Sequence, residues 1–214
     1  MTSDITSIVD ALIANFDKLI MDLVKHKYGY LFCQSLIDVV YYFTKLKFKD
    51  VRLRRILKRL DSNLPELVAD ENASLVILVY ANQLPAADMK EFVEFCKSEY
   101  KMCLQSGKAC KIFAKVLSKV TDVEKLEIEL HLKKIMPQVF DRNEGKELVE
   151  VFLSKADPQN LQPLLKQVFD KLTFYIRSEE FDYFFAKLAE LKRTDIIDSI
   201  IQKIFFDSKI NDKE

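Results

Sequence analysis

Three of the four cysteines in this 214-residue chain, Cys96, Cys103 and Cys110, fall at seven-residue intervals. A zinc site is usually built from Cys pairs two to four residues apart, closed by further Cys or His. A seven-residue step instead repeats one helical face, which favours buried free thiols; Cys110 is expected to be the more exposed of the three. Glu127 and His131 stand four apart on one helical face. They would need a converging third ligand to hold a metal, and an ion pair or hydrogen bond is the simpler use. The second histidine, His26, adjoins Lys27 in a polar stretch and reads as a solvated loop residue. Glu144, Glu147, Glu150 and Asp182 bring carboxylates to similar positions of what proves to be a repeat, but nothing nearby in sequence polarises a nucleophile. They read as an acidic groove or a solvated face that would repel a polyanion from the C-terminal half. With three glycines in all, there is no GxGxxG, GxxxxGK[ST] or nucleophile elbow. No catalytic residue, metal ligand or cofactor is assigned.

Charge offers a more definite feature. Lys+Arg and Asp+Glu both number 33, so the chain is neutral overall. Between Lys25 and Arg59, however, ten basic residues face only two acidic ones. The densest part is Lys45, Lys47, Lys49, Arg52, Arg54, Arg55, Lys58 and Arg59. Val51, Ile56, Leu57 and Leu60 set one helical face toward a core, which crowds the basic side chains onto the other faces and the preceding loop. Such a cluster can neutralise several phosphates with salt-sensitive affinity, or keep a helix face solvated. Tyr41, Tyr42 and Phe43 flank it, placed either to stack on bases or to pack against the next element. Phe205 and Phe206 near the C-terminus read as a cap or an exposed docking patch.

The elements that position these residues are helices. Apolar residues recur at three- and four-residue steps, as in Leu12, Ile13, Phe16, Ile20, Leu23 and Val24. Prolines fall at junctions (Pro65, Pro85, Pro158, Pro163), and Pro137 predicts a kink or short break. The pattern also repeats. With Gly29 as origin, a small or loop-like residue recurs at Ala73, Ala109 and Gly145, and Phe181 takes the fifth place. Three residues on stand Phe32, Val76, Ile112, Leu148 and Phe184; seven on, Leu36, Tyr80, Val116, Phe152 and Leu188. Thirteen before the origin stand Phe16, Leu60, Cys96, Leu132 and Val168. The columns stay apolar through polar breaks such as Lys25-His26-Lys27, Asp70-Glu71-Asn72 and Asp141-Arg142-Asn143. A helix, a break and a second helix every 36 residues predicts an all-α fold, an α-solenoid whose stacked pairs share a core and present an extended concave surface. The repeats span approximately 5–44, 51–84, 87–120, 123–156 and 159–192, with a cap helix at 194–206. They make one domain over 1–208, with a disordered tail at 209–214. The first spacing is eight residues longer, which places an insertion near Tyr41 to Lys49.

Apolar residues make up 49% and charged residues 31%, a globular balance. No apolar run reaches the length of a membrane span, and Met1-Thr2-Ser3-Asp4 lacks the basic start of a signal peptide. An intracellular protein with reduced thiols is expected, with no membrane and no small-molecule substrate as partner.

The period is also that of Pumilio (PUF) repeats. His26-Lys27-Tyr28-Gly29-Tyr30-Leu31-Phe32-Cys33-Gln34-Ser35-Leu36-Ile37-Asp38 resembles the family's second-helix signature, Tyr-Gly-Asn-Tyr-Val-Ile-Gln-x-Leu-Leu-Glu. The likeness lies in its Tyr-Gly, its apolar pair, its Gln and its Leu-Ile-Asp ending. Family members read single-stranded RNA with two base-edge residues and one stacking residue per repeat. The resemblance implies edge pairs at Tyr30 with Gln34, Ser74 with Leu78, Cys110 with Ala114, Lys146 with Glu150, and Asp182 with Ala186. Stacking residues would be Leu31, Leu75, Lys111, Glu147 and Tyr183. Leu78, Ala114 and Ala186 cannot hydrogen-bond a base with their side chains. The chain is therefore more similar to the divergent Pumilio-like proteins of ribosome assembly, which bind nucleic acid with little base specificity. That likeness implies a nuclear or nucleolar protein, otherwise a cytoplasmic one. It implies a non-enzymatic RNA binder that holds phosphates through Lys45 to Arg59 and through Tyr30, Gln34, Ser74, Cys110 and Lys111. The alternative is a HEAT-like protein-interaction scaffold whose concave face takes a protein and no nucleic acid.

Overall fold

A computed structural model describes residues 15–16, 18–45, 57–171 and 179–206. Lys47, Lys49, Arg52, Arg54, Arg55, the insertion beyond Lys45 and the tail at 209–214 lie outside them, as do the side chains of Lys45, Phe43, Tyr183 and Phe206. Repeat one contains α1 (18–25) and α2 (Gly29–Lys45). Repeat two contains α3 (57–61), α4 (Leu64–Ala69) and α5 (Ala73–Gln83). Repeat three has α6 (Lys90–Ser98) and α7 (Gly107–Lys119); repeat four has α8 (Asp122–Leu132), α9 (Met136–Phe140) and α10 (Lys146–Lys155). Then come α11 (Pro158–Asp170), α12 (Glu179–Glu190) and α13 (Thr194–Phe206).

The second helices α2, α5, α7 and α10 pack on one another in succession, and α4, α6 and α8 form an adjoining layer. This is an α-solenoid. Its core is the set of columns: Val76, Ile112, Leu148 and Phe184 are buried, as are Tyr80, Val116, Phe152 and Leu188, and so are Leu60, Cys96, Leu132 and Val168. Because each repeat buries its apolar stripe only against its neighbours, these columns are the stability of the array.

Repeats two, three and four are divided more finely than a helix pair. A short segment follows the first helix: α4, a 3-10 turn at Tyr100–Leu104, and α9. Apolar periodicity runs straight through these joints. What parts them is backbone chemistry: Pro65 and Pro137 sit in the first turn of α4 and α9, where their missing N–H is no loss. Second helices leave through an extended residue at Leu84, Val120 and Ala156. In repeats four and five the next first helix then starts on a cap. Thr121 forms a capping box with Glu124, and Asp157 accepts from the Gln159 N–H at 2.8 Å.

Two ladders of polar side chains tie each repeat to the one before. At the C-terminal ends, Gln83 donates to Asp38 at 2.7 Å, and Lys119 donates to the carbonyls of Ala81, Asn82 and Leu84. Lys155 reaches the Ser118 carbonyl at 2.9 Å, and Arg193 the Leu153 carbonyl at 2.6 Å. At the N-terminal ends, Asn72 reaches the Lys25 carbonyl, Lys108 that of Glu71 and Arg142 that of Leu104. Cations over orphan C-terminal carbonyls satisfy the helix ends and complement their dipoles. Among the described residues, no helix is long and apolar enough to cross a membrane.

Candidate nucleic-acid interface

The parallel stack aligns the N-termini of α5, α7 and α10 along one groove of about 750 Å³. Its walls include Ser74 on α5, Lys108 and Lys111 on α7, and Lys146 and Glu147 on α10. Ser74, Lys111, Lys146 and Glu147 are repeat positions at which the resemblance implies base contacts. Asp70 caps the head of α5, accepting from the N–H groups of Asn72 and Ala73 at 2.9 and 2.8 Å. Ser106 caps α7 through the Ala109 N–H at 3.3 Å. Gly145 precedes α10 where chain meets chain: a Cβ there would stand 2.5 Å from both the Val139 carbonyl oxygen and its Cγ1.

The edge positions are largely turned inward. Ser74 is buried and donates its hydroxyl to the Glu71 carbonyl at 3.0 Å. Cys110, expected to be the exposed cysteine, is buried like the other three; its Sγ donates to the Cys103 carbonyl at 3.2 Å. The small thiol fits beneath the turn at Tyr100–Leu104, and that turn is what covers it. Burial holds the thiols of Cys96 and Cys103 well above their ordinary pKa and pushes that of Cys33 up to about 11. Gln34 is half-buried and donates to the Leu75 carbonyl at 3.0 Å, which ties repeat one to repeat two. Ala114 is buried. Tyr30 is half-buried against the core. Lys111 and Lys146 remain exposed in the groove.

The carboxylates do not form an acidic face. Glu147 is paired with Lys115 at 3.3 Å and Glu150 with Lys187 at 3.5 Å, each across a repeat junction. Glu144 pairs with Arg142 at 2.9 Å. Asp182 is exposed. The groove is thus mixed in charge, with Lys108, Lys111 and Lys146 among Asp70, Glu71, Glu144 and Glu147.

The described part of the basic cluster lies elsewhere. Lys58 and Arg59 are exposed on α3, and Lys58 borders a smaller pocket of about 220 Å³ with Tyr41, Asp61, Tyr80 and Leu84. Tyr80 and Leu84 mark the C-terminal end of α5, whereas Ser74 marks its N-terminal end, about 15 Å away at 1.5 Å per residue. Lys58 and Arg59 are therefore not brought together with Ser74, Cys110 and Lys111. In the smaller pocket, Asp61 accepts from the Tyr80 hydroxyl through Oδ2 at 3.3 Å, while its buried Oδ1 has no partner. Burial pushes its pKa up to about 6.

The two histidines are both structural. His26 Nδ1 accepts from the N–H groups of Tyr28 and Gly29 at 3.3 and 3.2 Å, so it caps α2 from an exposed position in the loop before it. Glu127 pairs with Lys97 at 3.0 Å, and His131 packs beside the Tyr100 ring. Among the described residues, no three His, Cys, Asp or Glu side chains gather to hold a metal. The polar ladders are not evident from the sequence, although Gln83, Lys119 and Lys155 do form a polar column ten residues after the origin.

No family model matches the chain, and no curated relative matches it in sequence. Solved structures do match in fold. PUF-8 in complex with PBE-RNA aligns with a TM-score of 0.66 at 15% identity, covering 90% of this chain and 54% of that one. The Puf4 RNA binding domain, bound to the HO endonuclease RNA 3′ UTR recognition sequence, gives 0.66 at 14% identity, with 85% and 54% covered. The Puf3 RNA binding domain, bound to the site A recognition sequence of the Cox17 RNA 3′ UTR, gives 0.68 at 16% identity, with 92% and 57% covered. The chain shares the fold of these domains and spans a little over half their length.

Proposed function

We propose that this protein is a non-enzymatic RNA-binding repeat protein with low base specificity. The observation that carries the proposal is the likeness, over about nine-tenths of the chain, to solenoids whose structures hold RNA. Low specificity rests on the fate of the edge positions. Ser74 and Cys110 direct their polar atoms to backbone carbonyls, Gln34 directs its amide to Leu75, and Ala114 has none to offer. Exposed cations suited to phosphates are Lys111 and Lys146 in the groove, and Lys58 and Arg59, which follow the basic run in sequence. A role in ribosome assembly or another ribonucleoprotein, in the nucleus or nucleolus, follows from the resemblance of the Tyr28 to Asp38 segment to divergent Pumilio-like repeats.

The test is a fluorescence anisotropy titration of labelled single-stranded and duplex RNA over a series of salt concentrations. The expectation is tight binding, indifferent to sequence, with a steep salt slope. Charge reversal at Arg54, Arg55, Lys58 and Arg59 should remove most of it. Reversal at Lys111 and Lys146 should flatten the single-strand slope by about 0.7 for each phosphate no longer neutralised. Absence of binding at low salt would overturn the proposal and leave a protein-interaction scaffold, a reading supported by the mixed charge of the groove.

A further inference from the structure

The groove shared by α5, α7 and α10 already holds an anion of its own chain. Three residues before the origin of a repeat stands the residue that caps the second helix: His26 for α2, Asp70 for α5 and Ser106 for α7. In repeat four this place falls to Arg142, whose side chain has no acceptor to offer. It turns back to the preceding repeat and donates from Nη1 to the carbonyls of Leu104 and Cys103. Its Nη2 is left for Glu144, which accepts at 2.9 Å. Glu144 in turn lies across Gly107, the first residue of α7. A Cβ on Gly107 would stand 2.7 Å from the Glu144 Cβ and 3.3 Å from both its Cγ and its Oε2. The bare glycine is what lets this carboxylate settle there. Lys108, Lys111 and Lys146 line the same groove.

We infer that Glu144 is an internal competitor for phosphate, a fixed carboxylate against which an RNA strand must enter the groove. This rests on the RNA binding proposed above and concerns what limits it. The other acids of the groove are placed differently. Asp70 is taken up in capping α5. Glu147 pairs with Lys115 across the repeat junction at 3.3 Å, and Lys115 lies outside the groove lining. Glu71 is exposed, and Lys108 takes its backbone carbonyl at 2.7 Å rather than its carboxylate, so the side chain is free to swing clear of a strand. Glu144 is pinned from two sides. The guanidinium that holds it is itself tied to two carbonyls, and Gly107 gives it a seat. Its charge lowers the positive potential that Lys108, Lys111 and Lys146 present to a polyanion, and it covers the Arg142 Nη2 that a phosphate would otherwise use. Neutralising Glu144 therefore does two things at once: it removes a repulsive charge and it leaves Arg142 without a counter-charge at the edge of the groove.

The test is an anisotropy titration of a labelled oligouridylate at low salt with the full-length wild type, Glu144→Gln, Glu71→Gln and Glu94→Gln. Glu144→Gln keeps the shape of the side chain and should lower Kd by about two- to fivefold, the reach of one exposed ion pair. Glu71→Gln, in the same groove, should gain clearly less, because it frees no cation. Glu94 pairs with Lys97 at 2.9 Å on α6, outside the groove, so Glu94→Gln frees a cation in the wrong place and should gain nothing. A gain in affinity is not a result that loss of folding can produce, and circular dichroism of Glu144→Gln should show the wild-type helical signal. Wild-type binding that Glu144→Gln tightens no more than Glu71→Gln or Glu94→Gln overturns the inference and leaves the RNA-binding proposal standing. Binding by none of the four overturns both. Binding by Glu144→Gln where the wild type shows none supports the inference, with the groove closed to RNA while the carboxylate is seated.

Discussion

Asp61 makes a pH dependence opposite in sign to ordinary acid denaturation. Its Oδ1 is buried without a partner, and its Oδ2 accepts only a long bond from the Tyr80 hydroxyl. Burial is the dominant cause of its raised pKa, about 6 against 3.8; the Tyr80 hydrogen bond and Lys58 oppose the shift, and Glu91 and Asp88 add to it. Lys90 and Tyr41 are the other ionisable groups that line the pocket. Between pH values of about 4 and about 6 the folded protein holds a proton that the unfolded chain has already released. Stability from this site is thus present at low pH and is lost as pH rises through about 6. A gap of about two units corresponds to roughly 3 kcal/mol at about 1.36 kcal/mol each, and the carboxyl's partial contact with solvent reduces that to about 1–2 kcal/mol. Asp61→Asn keeps the shape and an acceptor for Tyr80 but removes the buried charge. At about pH 8 it should stabilise the protein by that amount, raising Tm by about 3–6 °C for a domain of this size. At about pH 4.5, still above the ordinary value of 3.8, the difference should fall to about a third of that. Thermal unfolding followed by circular dichroism at the two pH values measures both. An equal or lower Tm for Asp61→Asn at the higher pH, or the same gap at both pH values, would refute the reasoning.

Two further substitutions probe the joints between repeats. Glu129 is buried on α8 and accepts from the Asp157 N–H and the Asn160 side-chain amide, both at 3.1 Å. Glu129→Ala strands those donors at the head of α11 and should cost about 2–4 kcal/mol in urea unfolding, while Glu129→Gln, which keeps an acceptor, should cost less. An alanine variant as stable as the wild type would contradict this. Lys119 covers three carbonyls at the end of α5, so Lys119→Met should cost about 1–2 kcal/mol and Lys119→Arg should recover most of it; equal destabilisation in both variants would argue against the capping role.

The helical frame was legible because burial is periodic. Leu60, Cys96, Leu132 and Val168 are buried for the reason their spacing indicates, and Phe92, Ile128 and Leu164 behave likewise one turn earlier. The division of repeats two, three and four into three segments was not legible from that signal. Hydrophobic period continues through Leu64, Leu67, Met136 and Val139, while Pro65, Pro137 and the extended turns cut the backbone. The roles of Lys119 and Lys155 were not legible because a sequence shows a charge but not the carbonyl one repeat back that receives it.

These joints bear on the candidate interface. In a repeat protein, the residue that reads a ligand and the residue that joins one repeat to the next occupy adjacent positions of the same helix. Here the competition has gone to the joints. Gln34 bonds the next repeat's backbone, Ser74 and Cys110 bond the turns that precede their own helices, and Glu150 pairs with a lysine of the following repeat. Each such bond replaces a contact that a base edge would need and stiffens the stack that presents the groove. On the proposed function, long exposed side chains such as Lys111 and Lys146 supply charge to a ligand at about the spacing of one repeat. Phosphates recur along a strand whatever its bases, so on the proposed function such a groove selects for backbone and shape rather than for sequence.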